Sequence, residues 1–180
     1  MSKKVLVLST SPRMGGNSET LADAFIKGVE EAGSSAKKIC LYDKKIEFCK
    51  GCLACQSTEK CVLRDDAEEI IAQMKAADVL VFATPVYFYE MSGQMKTLLD
   101  RTNPLFPSEY RFRDIYLLAA SADEEPASMD GAVKGLEGWI RCFEQARLSG
   151  VVRGAGADKK GEISKCTAAL SAAYEMGKHI

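Results

Sequence analysis

Leu6-Val7-Leu8-Ser9-Thr10-Ser11-Pro12-Arg13-Met14-Gly15-Gly16-Asn17-Ser18 is an apolar run that breaks into a hydroxyl-, amide- and glycine-rich turn and then opens a helical pattern. A helix start carries unpaired N–H groups and the positive end of its dipole, so an oxyanion placed there meets aligned donors. Gly15 and Gly16 let the backbone curl close to such an anion, while Ser11, Asn17, Ser18 and Thr20 add side-chain donors and Arg13 a permanent charge. The same residues also suit an ordinary strand-to-helix turn capped by Asn17 or Ser18. The kind of anion is narrowed by what the chain lacks. No Gly-x4-Gly-Lys-Ser/Thr run is present, which argues against nucleoside triphosphate hydrolysis. The closest approach to a dinucleotide fingerprint, Gly154-Ala155-Gly156-Ala157-Asp158-Lys159, ends in lysine where a third glycine is needed. A phosphate monoester held in the first strand–helix turn remains.

Outward from this turn, Leu21, Ala24, Phe25 and Val29 recur at helical spacing and Gly33 closes the helix. Residues 36–41 read as a second strand, and residues 43–64 as a polar, cysteine-rich insert. Asp65-Asp66-Ala67-Glu68-Glu69 then starts a helix with acids in its first turn. Val79-Leu80-Val81-Phe82-Ala83 is a continuous buried-strand run, followed by a loop over 84–91 and a helix marked by Met95, Leu98 and Leu99. Residues 115–120 and 151–152 supply two more strands. Helical repeats at Val133, Leu136, Ile140 and Phe143, and at Leu170, Ala173 and Tyr174, complete the alternation. Strands alternating with helices predict an α/β fold with a doubly wound five-stranded parallel sheet, flavodoxin-like, in strand order 2-1-3-4-5. A ligand then sits beyond the carboxyl ends of strands one and three, so the loop Pro85-Val86-Tyr87-Phe88-Tyr89 faces the anion turn. Three successive aromatics there suit a planar ring as well as simple cover for the sheet end.

With 180 residues, 47% of them hydrophobic and 27% charged, the chain has the size of one domain, 1–180, with a real core. A net charge of −1, spread evenly, gives no basic stripe for nucleic acid. No apolar run approaches the roughly 20 residues that cross a bilayer, and Met1-Ser2-Lys3-Lys4 leads into a strand, so a cytoplasmic protein is expected. Four of the seven cysteines, Cys49, Cys52, Cys55 and Cys61, fall within thirteen positions. The spacing lets thiolates converge on an iron–sulfur cluster. A redox Cys-x-x-Cys pair, a zinc site and unmetallated thiols are the other readings, zinc being disfavoured because three ligands are crowded where pairs are usual. Cys40, Cys142 and Cys166 fall in or beside regular elements and read as ordinary core or surface residues.

Ser11-Pro12-Arg13 with Gly16-Asn17-Ser18, the Pro85-Val86-Tyr87 loop, Lys96 ahead of Asp100-Arg101 and the Cys49–Cys61 insert together resemble the NADPH-dependent FMN reductase family. The insert is most similar to the iron–sulfur flavoprotein branch. The resemblance is rich in motifs from about Val5 to Thr102 and thinner beyond. It implies non-covalent FMN, with Ser11, Arg13, Asn17 and Ser18 holding the phosphate and Thr20 assisting. Pro85, Val86, Tyr87 and Phe88 would line the flavin ring, and the loop opened by Ser121 would approach its third side. It further implies NAD(P)H as electron donor, a [4Fe-4S] cluster on Cys49, Cys52, Cys55 and Cys61, and a homo-oligomer, dimer or tetramer. Electrons would pass to a second acceptor, small molecule or protein, or the chain would serve as an electron carrier with little nicotinamide reactivity. The flavin carries such chemistry, so no catalytic side chain is expected. Thr10 stands where the family usually has glycine, and its side chain is expected to tighten the turn.

Overall fold

In the computed structural model, which describes residues 2–180, six strands and six α-helices alternate along the chain. Met1, where the sequence reading of the amino-terminal start begins, lies outside the described residues. Strands β1 (Lys4–Ser9), β2 (Ser35–Cys40), β3 (Val79–Tyr87), β5 (Asp114–Ala120) and β6 (Arg147–Gly154) pair in parallel in the order β2-β1-β3-β5-β6. The short strand β4 (Glu90–Met91) pairs antiparallel with the end of β3. The expected count of five strands in order 2-1-3-4-5 is thereby corrected. Residues 84–91, read as loop, extend β3 and fold back as a hairpin, so the sheet gains a strand at its carboxyl edge.

The parallel strands read as continuous apolar runs because helices cover both faces. Val5, Val7, Val79 and Val81 point to one side, against Leu21, Phe25 and Val29 of α1 (Asn17–Glu31) and Ala173 of α6 (Thr167–Lys178). Leu6, Leu8, Leu80 and Phe82 point to the other, against α3 (Ala67–Ala76), α4 (Gly93–Arg101) and α5 (Asp130–Ile140). The one-turn helix α2 (Cys55–Thr58) lies inside the cysteine-rich insert. Among the described residues, no helix is long and apolar enough to cross a membrane.

Helices α1 and α6 approach backbone to backbone, which only glycine permits. A Cβ at Gly28 would lie 2.1 Å from the Tyr174 carbonyl oxygen, and one at Gly177 would lie 2.1 Å from that of Phe25. Gly177→Val is therefore expected to force the helices apart and cost about 1–3 kcal/mol, as overpacking does, visible as a lower urea midpoint. An unchanged midpoint would show that the contact yields freely.

Candidate functional site

At the carboxyl end of β1 the chain turns sharply and re-enters as α1. Thr10 is fully buried and directed inward. Its N–H and hydroxyl both donate to the Ala83 carbonyl, at 2.8 and 3.0 Å, and its own oxygens lie 3.0 and 3.1 Å from the Ser92 hydroxyl. Ser92 caps α4 by accepting from the Met95 N–H. The side chain expected to tighten the turn instead ties it to β3 and to the start of α4.

The next residues form a tight cradle. The Ser11 hydroxyl accepts from the Arg13 N–H at 3.1 Å and donates to the Arg13 carbonyl at 2.9 Å. A Cβ at Gly16 would lie 2.5 Å from that hydroxyl, so glycine is required for the loop to close. Gly15 sits at φ +62°, in the left-handed region. Its N–H donates to the Glu19 carboxylate at 2.7 Å. Burial pushes the Glu19 carboxyl up, but Lys38, the Gly15 N–H and the Cys40 thiol outweigh it and hold the group below its usual range. Glu19 was missed by the sequence reading. An acid three residues after the Gly16 cap position is its available signal, the second half of a capping box. Burial and the Glu19 charge push the neighbouring Cys40 thiol up to about 11, so it stays protonated and unreactive.

The first-turn N–H groups of α1 have no carbonyl four residues back to accept them and remain open to a ligand. Ser18 is buried, and its hydroxyl has no hydrogen-bond partner among the described residues. Arg13 is exposed and, among the described residues, bonds through its main chain alone. Two expected donors are otherwise engaged. The Thr20 hydroxyl donates back to the Gly16 carbonyl at 3.2 Å. The Asn17 side chain donates to the Ala157 and Lys159 carbonyls at 2.9 and 3.0 Å and accepts from the N–H groups of Gly161 and Ile163. Its amide hydrogens are fully used in holding the loop after β6, so the expectation of a free Asn17 side-chain donor is corrected, and its backbone N–H stands at the open start of α1.

Opposite the cradle, β3 runs on through Pro85 and Val86 to Tyr87, which pairs with Glu90 across a two-residue turn. Phe88 and Tyr89 form that turn at φ +50° and +65°, a left-handed pair that usually demands Asn or Gly. The close approach of α5 buttresses it: a Cβ at Gly131 would lie 2.2 Å from the Tyr89 carbonyl oxygen. Phe88 is 99% exposed at the tip. Ser11, Arg13, Gly16 and Asn17 line one wall of a cavity of about 170 Å³, and Pro85, Val86 and Tyr87 line another. The β5 loop closes it with Ala120 and Ala122, and the β6 loop with Ala157, Asp158 and Lys160. Phe88 stands outside this lining. Ser121, expected at the third side, turns away: its hydroxyl accepts from the Asp123 N–H and the Ser128 hydroxyl, which fixes the loop. A roomier groove of about 380 Å³ lies between the starts of β1 and β2 and the end of α3, at the wrong end of the strands for a ligand in an open α/β sheet.

The cysteine insert is anchored from its flanks. Buried Arg101 grips the Asp65 carboxylate with both terminal nitrogens, at 2.6 and 3.0 Å, and donates to the Glu47 carbonyl at 2.8 Å. Cys49 and Cys52 are exposed, Cys55 is buried and Cys61 is half-buried beside Arg101. Among the described residues, no three metal-ligating groups come together. The expected convergence of Cys49, Cys52, Cys55 and Cys61 is therefore not what this arrangement displays. Burial, and after it the charges of Cys61, Cys49 and Cys52, push the Cys55 thiol up, so the other three thiols stand within electrostatic reach of Cys55 without forming a ligand set.

Known proteins share both sequence and shape with this chain. The family model for NADPH-dependent FMN reductases matches residues 3–145. An iron-sulfur flavoprotein of Methanocaldococcus jannaschii is 40% identical over 102 residues, 57% of this chain and 53% of that protein. This chain spans about half the length of the first such relatives it matches. A Bacillus subtilis protein named as an NAD(P)H-dependent FMN-containing oxidoreductase is 29% identical over 189 residues, 97% of each. In shape, an NAD(P)H:quinone oxidoreductase from Methanothermobacter marburgensis superposes with a TM-score of 0.75 at 17% identity, covering 99% of this chain and 98% of the other. An FMN-dependent NADH-azoreductase from Bacillus anthracis, solved in complex with FMN, gives 0.73 at 16% identity, covering 99% of each. These last two likenesses show the flavodoxin-like fold. With the glycine-rich turn, an aromatic hairpin and the β5 loop meeting at the switch point of that fold, and the family model spanning most of its length, the chain belongs to the NADPH-dependent FMN reductase family.

Proposed function

We propose that the chain binds FMN non-covalently at the carboxyl edge of β1, β3 and β5 and acts as an NAD(P)H-dependent oxidoreductase that hands electrons to a second acceptor. The observation that carries this reading is the buried Ser18 hydroxyl, orphaned at the start of α1 beside open N–H groups: a buried donor without a partner needs an acceptor, and a phosphate oxygen supplies one. The donor set fits a phosphate monoester, with Ser11 and Gly16 shaping the cradle and Arg13 adding charge. The enclosed 170 Å³ admits the phosphate end, so a flavin ring would rest at the mouth against Pro85, Val86 and Tyr87. Bound FMN supplies the hydride acceptor. The protein's part is to hold the phosphate, to present one ring face to the nicotinamide, and to set the ring's surroundings through the acidic loop Asp123-Glu124-Glu125.

Exposed Phe88 and Tyr89 suit contact with a second copy, which would cover the hairpin tip in a dimer or tetramer. The seven cysteines are all free, which suits the reducing cytoplasm. Mixed anaerobically with NADPH or NADH, protein reconstituted with FMN is expected to lose its absorbance near the flavin band. Persistence of the colour with both nucleotides would favour a pure electron carrier. That second reading is supported by the Cys-x2-Cys-x2-Cys-x5-Cys spacing, which the iron–sulfur branch shares. A flavodoxin-type carrier needs no metal, whereas the iron–sulfur form needs the four thiols around a [4Fe-4S] cluster, and anaerobic reconstitution of that form should give about four iron atoms per chain. Iron-free protein after reconstitution removes the iron–sulfur form.

A further inference from the structure

We infer that Lys160 is a second cationic contact for the FMN phosphate, and that Asn17 serves the site as the positioning residue that delivers it. The inference rests on the FMN reading above and assigns a role to a loop outside residues 3–145, the part of the chain matched by the family model. Lys160 lines the same cavity as Arg13, Ser11 and Gly16. Its side chain lies over the cradle itself: a Cβ at Gly15 would come 3.4 Å from Lys160 Cε and 3.7 Å from Nζ. The ammonium has no ion-pair or hydrogen-bond partner among the described residues, whereas Lys38, Lys75 and Lys96 each engage a carboxylate.

A solvated surface lysine would need no such loop. The segment carrying Lys160 is held on both sides, by the four hydrogen bonds of Asn17 and by the Ala157 N–H, which donates to the Ser121 carbonyl at 2.8 Å. Within it the Lys159 N–H donates to the Glu162 carboxylate at 2.8 Å, and Gly161 takes φ +86° to pass under Asn17. Asn17 and Lys160 therefore act as one unit across more than 140 positions of sequence. Asp158, also at the cavity, opposes an anion, so Arg13 and Lys160 together leave one net positive charge there, to which the α1 terminus adds. A dianionic phosphate needs more than Arg13 alone to balance that carboxylate.

The test titrates apoprotein with FMN and with riboflavin, which lacks the phosphate. Lys160→Met is expected to weaken FMN about tenfold, the effect of one charge-assisted contact, and to leave riboflavin within about twofold. Lys160→Arg should retain most of the FMN affinity, and the loss in Lys160→Met should shrink at high salt. Asn17→Ala should lower the FMN-to-riboflavin ratio too, and adding Lys160→Met to it should cost less than in the wild-type background, because the two act through one contact. Wild-type-like FMN binding by Lys160→Met, equal losses for both ligands, or full additivity of the two variants would overturn the inference. A change confined to the KM for NADPH would overturn it as well, by assigning Lys160 to the nucleotide. Wild-type protein that fails to prefer FMN over riboflavin would sink the phosphate cradle itself, a separate result.

Discussion

Arg101→Met is expected to destabilise the fold by about 3–5 kcal/mol, the range observed when one partner of a buried ion pair is removed. Arg101 is 1% exposed, and Asp65 depends on it. Burial raises the Asp65 carboxyl, but Arg101 and the N–H groups of Glu47 and Ala67 overcome burial and hold it below 3.8. Without the guanidinium, that charge keeps two backbone donors in a site shielded from water. Replacing both residues, Arg101→Met with Asp65→Leu, should recover a good part of the loss, since an apolar pair leaves no orphaned charge. Urea denaturation measures both variants, and a single variant as stable as wild type would show that the pair contributes nothing net. The pH dependence has a definite sign. A carboxyl depressed in the folded state lends stability that is complete above its unfolded value and is lost as pH falls through the folded one, so the Asp65 contribution should persist at neutrality and fade below about pH 4. Because Glu47 and Asp65 flank the cysteine insert, limited proteolysis of Arg101→Met should cut within residues 48–64 before the core gives way.

Arg13→Ala is expected to raise the dissociation constant for FMN by about 10- to 100-fold, since a hydrogen bond to a charged group contributes roughly 1.5–3 kcal/mol. The guanidinium is exposed and bonded to no side chain among the described residues, so its removal should leave the fold untouched and act on the ligand alone. Exposure also places the effect under salt control, and the gap between variant and wild type should narrow as ionic strength rises. Fluorescence titration of apoprotein gives the number. Unchanged affinity would mean that Arg13 points away from the phosphate, leaving the cradle to backbone donors and Ser18.

The parallel sheet was legible because its strands announce themselves: Val79-Leu80-Val81-Phe82-Ala83 is apolar at every position, as a strand covered on both faces must be. The β3–β4 hairpin was not, because Phe88-Tyr89 carries no turn signal; tertiary support from α5 overrides the local preference for glycine. In the site, Ser11, Arg13 and the glycines were readable from one short segment, since the cradle they form is local. Asn17, Ser121 and Thr10 misled for the opposite reason. Asn17 and Thr10 meet partners from distant chain and Ser121 meets Asp123 and Ser128 within its own loop, and a short polar side chain does not declare which partner it will find. Asp65, read as a first-turn acid of a helix, and Arg101, read as part of a motif, lie 36 positions apart, and nothing local to either announces their ion pair. The cysteine spacing was plain, but spacing fixes reach and does not by itself bring thiols together.

The backbone contact between α1 and α6 has a bearing on biosynthesis. The turn that opens α1 precedes α6 (Thr167–Lys178) along the chain, so the close contact at Gly28 and Gly177 forms only after every strand of the sheet has been made. Until those residues are made, α1 rests on the sheet alone, through Leu21, Phe25 and Val29 against Val5, Val7, Val79 and Val81. The nascent protein meanwhile presents a greasy flank of the kind chaperones retain.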